Sequence, residues 1–533
     1  MPNFKLDDRE VPFEPGETII RAAQKAGIDI PHYCWHAGLS VAANCRMCLV
    51  EIMPPPGRPA MLLDVLAWDA DKKEYVPQKK PKLVPSCQQA AADGMVVKSQ
   101  TSEHVDKARA AVQELLLLNH PVDCPICDQA GECRLQDYWL EHSATKKRMR
   151  DEPIHKPKAV VFGPTIVYDA ERCIVCTRCV RVSEELAKDP VLSVRERGNL
   201  NEIVVAPGRQ LDHAYTLMTE YVCPVGALTS IDFRFKARVW FLRQARSVCT
   251  GCATGCNSFS DFDPRNQKVY RYRPRENLAV NKFWMCDDGM LDHRRIHDGR
   301  VLQARVGGES VALPSALAKA AEILGSANAD TTAVVLSAEH SNEDNFALLS
   351  LAKALGFAGI YQSGRPAGQG DDILRHPDKN PNSAGIAALG KAAGLKSFVE
   401  FVEAIRAGKA QTVIALGSAT PTGGGAAALS DVKNLIAIST HEGAFPEKAR
   451  VVLPASSWAE ADGLFVNAKG MTQESEKVIT PQGDSKPAFR LLADLAKLCG
   501  KPLSWKKLAE LRAAMTPTAP RSVPPESASL GAE

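Results

Sequence analysis

Apolar and polar positions alternate in short blocks at the start of the chain and settle into longer, regular ones after residue 300. Val11–Phe13 reads as a strand. Thr18–Ala26 reads as an amphipathic helix, because Ile19, Ile20, Ala23 and Ala26 recur at helical spacing. A cysteine-bearing loop follows, then a strand at Leu49–Met53. Residues 54–86, rich in Pro and Lys, read as an inserted loop before Cys87. His104–Asn119 predicts a helix with Val105, Ala108, Val112, Leu115 and Leu116 on one face. A cysteine-dense region then runs to about residue 240, and a separate small module covers 242–300. Beyond it, the apolar runs Ala333–Leu336, Val413–Leu416, Leu435–Ile438 and Val451–Leu453 alternate with helical patterns at Asn345–Leu355 and Ala488–Leu498. That alternation predicts an α/β domain with a largely parallel sheet. Residues 516–533, rich in Pro, Ser and Ala without apolar period, are expected to be a disordered tail. No repeat of fixed period is found.

A chain of 533 residues exceeds one compact core and implies three or four domains. Sixty-five Lys and Arg against 62 Asp and Glu leave a net charge of +3, which excludes a polyelectrolyte partner such as nucleic acid. The basic run Lys146, Lys147, Arg148, Arg150 reads as a solvated loop. No basic segment leads into an apolar one at the N-terminus, so no secretory signal is expected. The aliphatic run Leu115–Leu118 falls far short of the ~18 apolar residues that cross a bilayer, so membrane association is expected only through partners.

The cysteines change the picture most. Of 16, all but Cys499 lie at or before Cys286, mostly in tight C-x2-C groups, which is metal-ligand spacing rather than a disulfide pattern. They fall into four sets. The first is Cys34-x10-Cys45-x2-Cys48, with Cys87 the next thiol; four thiolates on loops suit a [2Fe–2S] centre. Cys34-Trp35-His36 also invites a two-Cys, two-His reading. Cys48 following Cys45 favours all-cysteine ligation and leaves His36 at the surface or behind the ligands. The second set is His120-x3-Cys124-x2-Cys127-x5-Cys133. Only three thiols are local, and by spacing His120 is equally a fourth ligand or an ordinary packed side chain. The third is Cys173-x2-Cys176-x2-Cys179 with a distant Cys223-Pro224, a ferredoxin-type [4Fe–4S] pattern without a second triplet. The fourth is Cys249-x2-Cys252-x3-Cys256-x29-Cys286, where Gly251 and Gly255 allow close backbone approach. Its spacing resembles the N-terminal cluster module of molybdopterin oxidoreductases. For the last two sets structural zinc is the competing reading. Cys499, near the end of an apolar helix, reads as a buried core residue.

Asn119–Asp137 (NHPVDCPICDQAGECRLQD), Arg172–Arg181 (RCIVCTRCVR) and Cys223–Thr229 (CPVGALT), together with the order of the four sets, resemble the large iron–sulfur subunit of bacterial NADH:quinone oxidoreductase, respiratory complex I. The resemblance covers residues 1 to about 480. It weakens at Leu453–Gln473, where Lys469 and Met471 stand in place of a Glu and an Arg. It implies a multidomain α+β and α/β fold. In order, these are a ferredoxin-like β-grasp [2Fe–2S] domain (1–103), a one-histidine, three-cysteine [4Fe–4S] domain (104–143) and a ferredoxin-type helical and loop [4Fe–4S] domain (144–241). A molybdopterin-oxidoreductase-type [4Fe–4S] module (242–300) and a truncated α/β domain without molybdenum (301–515) follow. It implies His120 as a ligand, and so one [2Fe–2S] and three [4Fe–4S] clusters, with no molybdopterin. It further implies electrons passing from an NADH/FMN-binding subunit through the Cys34, Cys173 and His120 sets toward quinone-side cluster subunits. The Cys249 set lies off that line. The location implied is peripheral, on the cytoplasmic side of a bacterial inner membrane.

Other functions fit less well. A molybdenum or tungsten formate dehydrogenase needs a metal-ligating Cys or selenocysteine and a longer cofactor region after the fourth set, and only 247 residues follow Cys286. An iron-only hydrogenase needs further cysteines in the second half. The diaphorase partner of a NAD-linked hydrogenase shares the first three sets but not the fourth set or the α/β region. A nicotinamide site wants G-x-G-x-x-G after a strand, and Gly368–Ile373 lacks the third glycine. Gly423–Gly425 serves equally as a phosphate cradle or a flexible turn. No catalytic residue is expected on this chain.

Overall fold

The computed structural model describes residues 1–143 and 148–515. Lys146 and Lys147 of the basic run and the expected tail 516–533 lie outside the described residues. The chain divides into two compact units, one holding Met1–Trp240 and the other beginning at Phe241.

The first unit opens with a mixed five-stranded sheet in the order Arg9–Pro12, Asn3–Leu6, Val96–Lys98, Leu49–Met53, Leu83–Pro85. The first two form a hairpin, Asn3–Leu6 runs parallel to Val96–Lys98, and the remaining pairs are antiparallel. Phe4, Leu6, Val11, Val50, Ile52 and Val97 point from it into one core shared with the helix Ile19–Lys25. Residues 54–86 are not the loop expected from their Pro and Lys content. Leu62–Asp69 and Glu74–Pro81 pair as an antiparallel ribbon, with Trp68 set edge-on against Tyr75 at 5.2 Å. Its side chains alternate, but neither face is covered, so the apolar period carries no burial signal.

The helix Glu103–Leu117 is present, but its inward face is corrected. Val105, Arg109 and Gln113 are buried at i, i+4, i+8, whereas Leu115 is 68% exposed. Arg109 donates to Ser99 O (2.9 Å) and Ser99 Oγ (2.8 Å), and Gln113 Nε2 to the Tyr33 hydroxyl (2.6 Å). Hydrogen bonds to the first domain select that face, and an apolar stripe does not. A helix at Arg134–His142 then leads to a three-stranded sheet, Leu228–Ser230, Ile166–Tyr168, Val160–Val161.

The second unit begins with an antiparallel sheet of Arg243–Val248, Asn257–Asp263 and Lys268–Pro274. A seven-stranded sheet follows, in the order Glu309–Val311, Ala304–Val306, Val451–Pro454, Asn434–Ser439, Thr412–Leu416, Thr332–Ser337, Gly359–Ser363. Its last five strands are parallel. Their side chains alternate between two cores, one with Val334, Ile414 and Ile436, the other with Val335, Val413 and Leu435. Helices Asn342–Leu355 and Ala488–Leu498 cover the first core and Phe398–Arg406 the second. Cys499 caps the end of Ala488–Leu498 half-buried, packed on the edge of the core, because it lies one residue past the last turn that faces inward. Gly423–Gly425 is neither loop nor flexible turn: it opens the six-residue helix Gly423–Ala428, capped by Thr422 Oγ1 on Gly425 N at 3.3 Å. No helix among the described residues is long and apolar enough to cross a membrane.

Candidate metal centres

Cys34, Cys45 and Cys48 sit in the loop before Leu49–Met53, and Cys87 immediately follows Leu83–Pro85, the strand beside it. The sheet therefore delivers Cys87 to the loop. The thiols of Cys45 and Cys87 hydrogen-bond to Cys34 and Cys48 respectively. These bonds lead the causes that lower Cys34 to about 5 and Cys48 to about 7, with backbone N–H groups of Cys45, Asn44 and Cys87 adding to them. Ala43 and Arg46 hold left-handed φ values of 51° and 61°, the strain that turns the loop around the sulfurs. His36 is half-buried and kept neutral by burial, and its Nδ1 accepts the Gly38 N–H at 3.1 Å.

In the second set Cys124 is exposed, and Cys127 and Cys133 are buried and close enough to act on each other electrostatically. Burial pushes Cys133 up to about 11 despite the N–H groups of Gln136 and Leu135 on its sulfur. Burial, then the nearby Arg172 charge, lowers His120 to about 4, so its ring is neutral at pH 7. The same Arg172 acts on Cys127. His120 Nδ1 is buried without a hydrogen-bond partner among the described residues. A neutral imidazole with an orphaned buried nitrogen, on the side of Arg172 that also faces a thiol, fits a metal ligand.

The third set is the most complete. Cys173, Cys176, Cys179 and Cys223 line one cavity with Tyr168, Ile174, Ile203 and Val225. The Val175 N–H points at Cys173 Sγ at 3.3 Å, made possible by left-handed φ values of 51° at Val175 and 61° at Thr177. A β-branched residue in that region is strained, and here the strain aims an amide at sulfur. Gly226, just past Cys223, joins this set to the second: a Cβ there would lie 2.2 Å from Cys127 Sγ.

In the fourth set, Cys249, Cys252 and Cys256 occupy the turn between Arg243–Val248 and Asn257–Asp263, and Cys286 caps the helix Asp287–Leu291. All four are buried. Gly251 N reaches Cys249 Sγ and Gly289 N reaches Cys286 Sγ, both at 3.4 Å. Burial, followed by the other thiols, raises Cys256 well above its ordinary value, and Cys286 rises to about 12. Gln473, at the end of the segment that departs from the family pattern, braces this turn by donating to Gly255 O at 2.8 Å. Lys469 Nζ donates to Ala279 O at 2.9 Å. Sequence reading did not find Gly226, Gly289, the strained Val175 and Thr177, or Gln473; only the glycines carried a visible signal.

Among the described residues no three His, Cys, Asp or Glu side chains converge at single-ion spacing. Raised thiol pKa values mean that loading any metal here releases protons, while the convergent N–H groups favour the thiolate once formed.

Four family models match the chain. They are a 2Fe-2S iron-sulfur cluster binding domain (residues 2–102), the NADH-ubiquinone oxidoreductase-G iron-sulfur binding region (109–148), the ferredoxin-like domain of NADH-quinone oxidoreductase subunit 3 (163–229) and molybdopterin oxidoreductase (293–498). The corresponding NADH-quinone oxidoreductase subunit of Streptomyces coelicolor is 35% identical over 65% of this chain and 39% of its own length. Subunit 3 of the Thermus thermophilus NADH-quinone oxidoreductase is 34% identical over 69% of this chain and 48% of its own. The mitochondrial 78 kDa subunit of NADH-ubiquinone oxidoreductase from Neurospora crassa is 39% identical over 53% and 34%. The chain thus spans about half or less of the length of these curated relatives.

Proposed function

We propose that this relative of the large iron–sulfur subunit of NADH-quinone oxidoreductase relays electrons, as part of such an enzyme, from an NADH/FMN-binding subunit toward quinone-side cluster subunits. In this reading Cys34, Cys45, Cys48 and Cys87 hold a [2Fe–2S] cluster. His120 with Cys124, Cys127 and Cys133, Cys173 with Cys176, Cys179 and Cys223, and Cys249 with Cys252, Cys256 and Cys286 hold three [4Fe–4S] clusters. Bound clusters supply one-electron carriers. The chain's own part is to bury the sulfurs, aim N–H groups at them and exclude competing ligands, which sets each potential. The observation that carries the reading is the Cys173 cavity: four thiols from segments about fifty residues apart line one apolar hollow.

The domain boundaries expected from the sequence follow from these sets, with a β-grasp first and a cofactor-free α/β domain last, since Cys499 is the sole thiol after Cys286. The place proposed is the cytoplasmic face of a bacterial inner membrane, reached through partners. NADH added to the loaded chain alone should leave its visible absorbance unbleached, and adding the flavin-bearing partner should bleach it. Bleaching by NADH without a partner would show a nicotinamide site on this chain and end the relay reading.

A further inference from the structure

Arg178 and Arg181 stand among the third-set cysteines, yet their side chains leave that set. Arg181 Nη2 donates to Cys34 O at 2.5 Å and to Cys176 O at 3.3 Å; its Nη1 donates to the Ser40 carbonyl and its Nε to Thr177 O at 3.3 Å. Arg178 makes a second bridge, from Val222 O at 3.0 Å to the Trp35 carbonyl. Both are buried, at 6% and 8% exposed, and Arg178 Nε has no partner at all among the described residues. Every hydrogen bond the two side chains make goes to a neutral backbone carbonyl. Glu185, one turn beyond Arg181, is occupied by the Ser40 N–H at 2.9 Å and the Ser40 hydroxyl. A buried cation without a carboxylate is costly unless some other anion faces it. Thiolate-held iron–sulfur clusters are such anions, and ligands of two of them are what the guanidinium groups touch.

We propose that Arg181, with Arg178 beside it, is a positioning residue shared by the Cys34 and Cys173 centres: its guanidinium fixes the carbonyl of one ligand from each, and its charge holds both reduction potentials up together. The proposal rests on the ligand sets given above. A positive charge stabilises the form that has gained an electron, and in a buried setting salt screens it little. The fork geometry matters separately, because a lysine carries the charge but cannot hold several carbonyls in one plane.

The test uses the full chain with clusters reconstituted, counting iron and sulfide and following each centre by EPR at stepped potentials in the parent, R181Q, R178Q and R181K. With iron intact, R181Q should lower the midpoints of the [2Fe–2S] centre and the Cys173 cube together. The expected fall is at least tenfold in the reduction equilibrium, 59 mV for one electron. R178Q should move both the same way, and R181K should return both toward the parent. The Cys249 centre, in the second compact unit, is the internal reference. Full iron with both midpoints unmoved in R181Q and R178Q, or a shift at one centre only, overturns the proposal. If R181Q loses iron, R181K decides: parental midpoints at both centres support the shared role, and a fall at either, or loss of iron there too, overturns it. A parent chain lacking iron at these sets contradicts the ligand assignment instead.

Discussion

Single side chains decide which cysteines can share a cluster. Gly226 leaves no room for a methyl group, since the nearest atom to a built Cβ is Cys127 Sγ at 2.2 Å. Gly226→Ala should therefore cost the His120 set its cluster, about four iron atoms per chain, while the [2Fe–2S] signal persists; iron analysis with EPR checks this. His120→Cys should keep nearly all the iron but move one cube's potential, because thiolate in place of neutral imidazole adds a negative charge. An unaltered EPR titration would show that the histidine never bound. His441 gives a pH test away from the ligands. Burial holds it at about 4, and its Nε2 is bonded to Arg295 O at 2.7 Å. A base with a folded pKa below its ordinary 6.5 takes its proton mainly in the unfolded chain. Its contribution to stability is thus complete above pH 6.5 and is lost as pH falls toward 4. The urea midpoint of the metal-free chain should fall between pH 7 and 5, and His441→Gln should lessen that fall.

At the scale of elements, the helix Glu103–Leu117 shows what caps and buried polar contacts contribute. Ser102 Oγ accepts the Val105 N–H at 3.4 Å and donates to Glu51 Oε2 at 2.8 Å. Ser102→Ala should destabilise the first unit by about 1 kcal/mol, read as a lower denaturation midpoint. This helix also marks where sequence reading reached its limit. Its existence was legible from Val105 and Val112, but its true inner face runs through Arg109 and Gln113, which a hydrophobic period treats as surface. The parallel strands were legible because residues such as Val413–Leu416 are apolar on both faces. The ribbon Leu62–Asp69 with Glu74–Pro81 was not, because Pro77, Pro81 and the lysines mask a pairing that buries little. The cysteine sets were legible because their ligands mostly share short loops. The residues that join sets, Gly226, Arg178 and Arg181, gave no spacing signal.

For the whole molecule, the division at Trp240 and Phe241 separates three proposed ligand sets from the fourth, and each unit has its own core. Expressed separately and reconstituted, residues 1–240 should bind about ten iron atoms and residues 241–533 about four. An iron-free second fragment that is nonetheless folded would remove the Cys249 set from the account. The decisive measurement is iron, acid-labile sulfide and zinc counted together on the anaerobically prepared full chain. The account predicts about 14 iron atoms with matching sulfide and essentially no zinc. A colourless chain carrying zinc, or thiols oxidised in pairs, would contradict it.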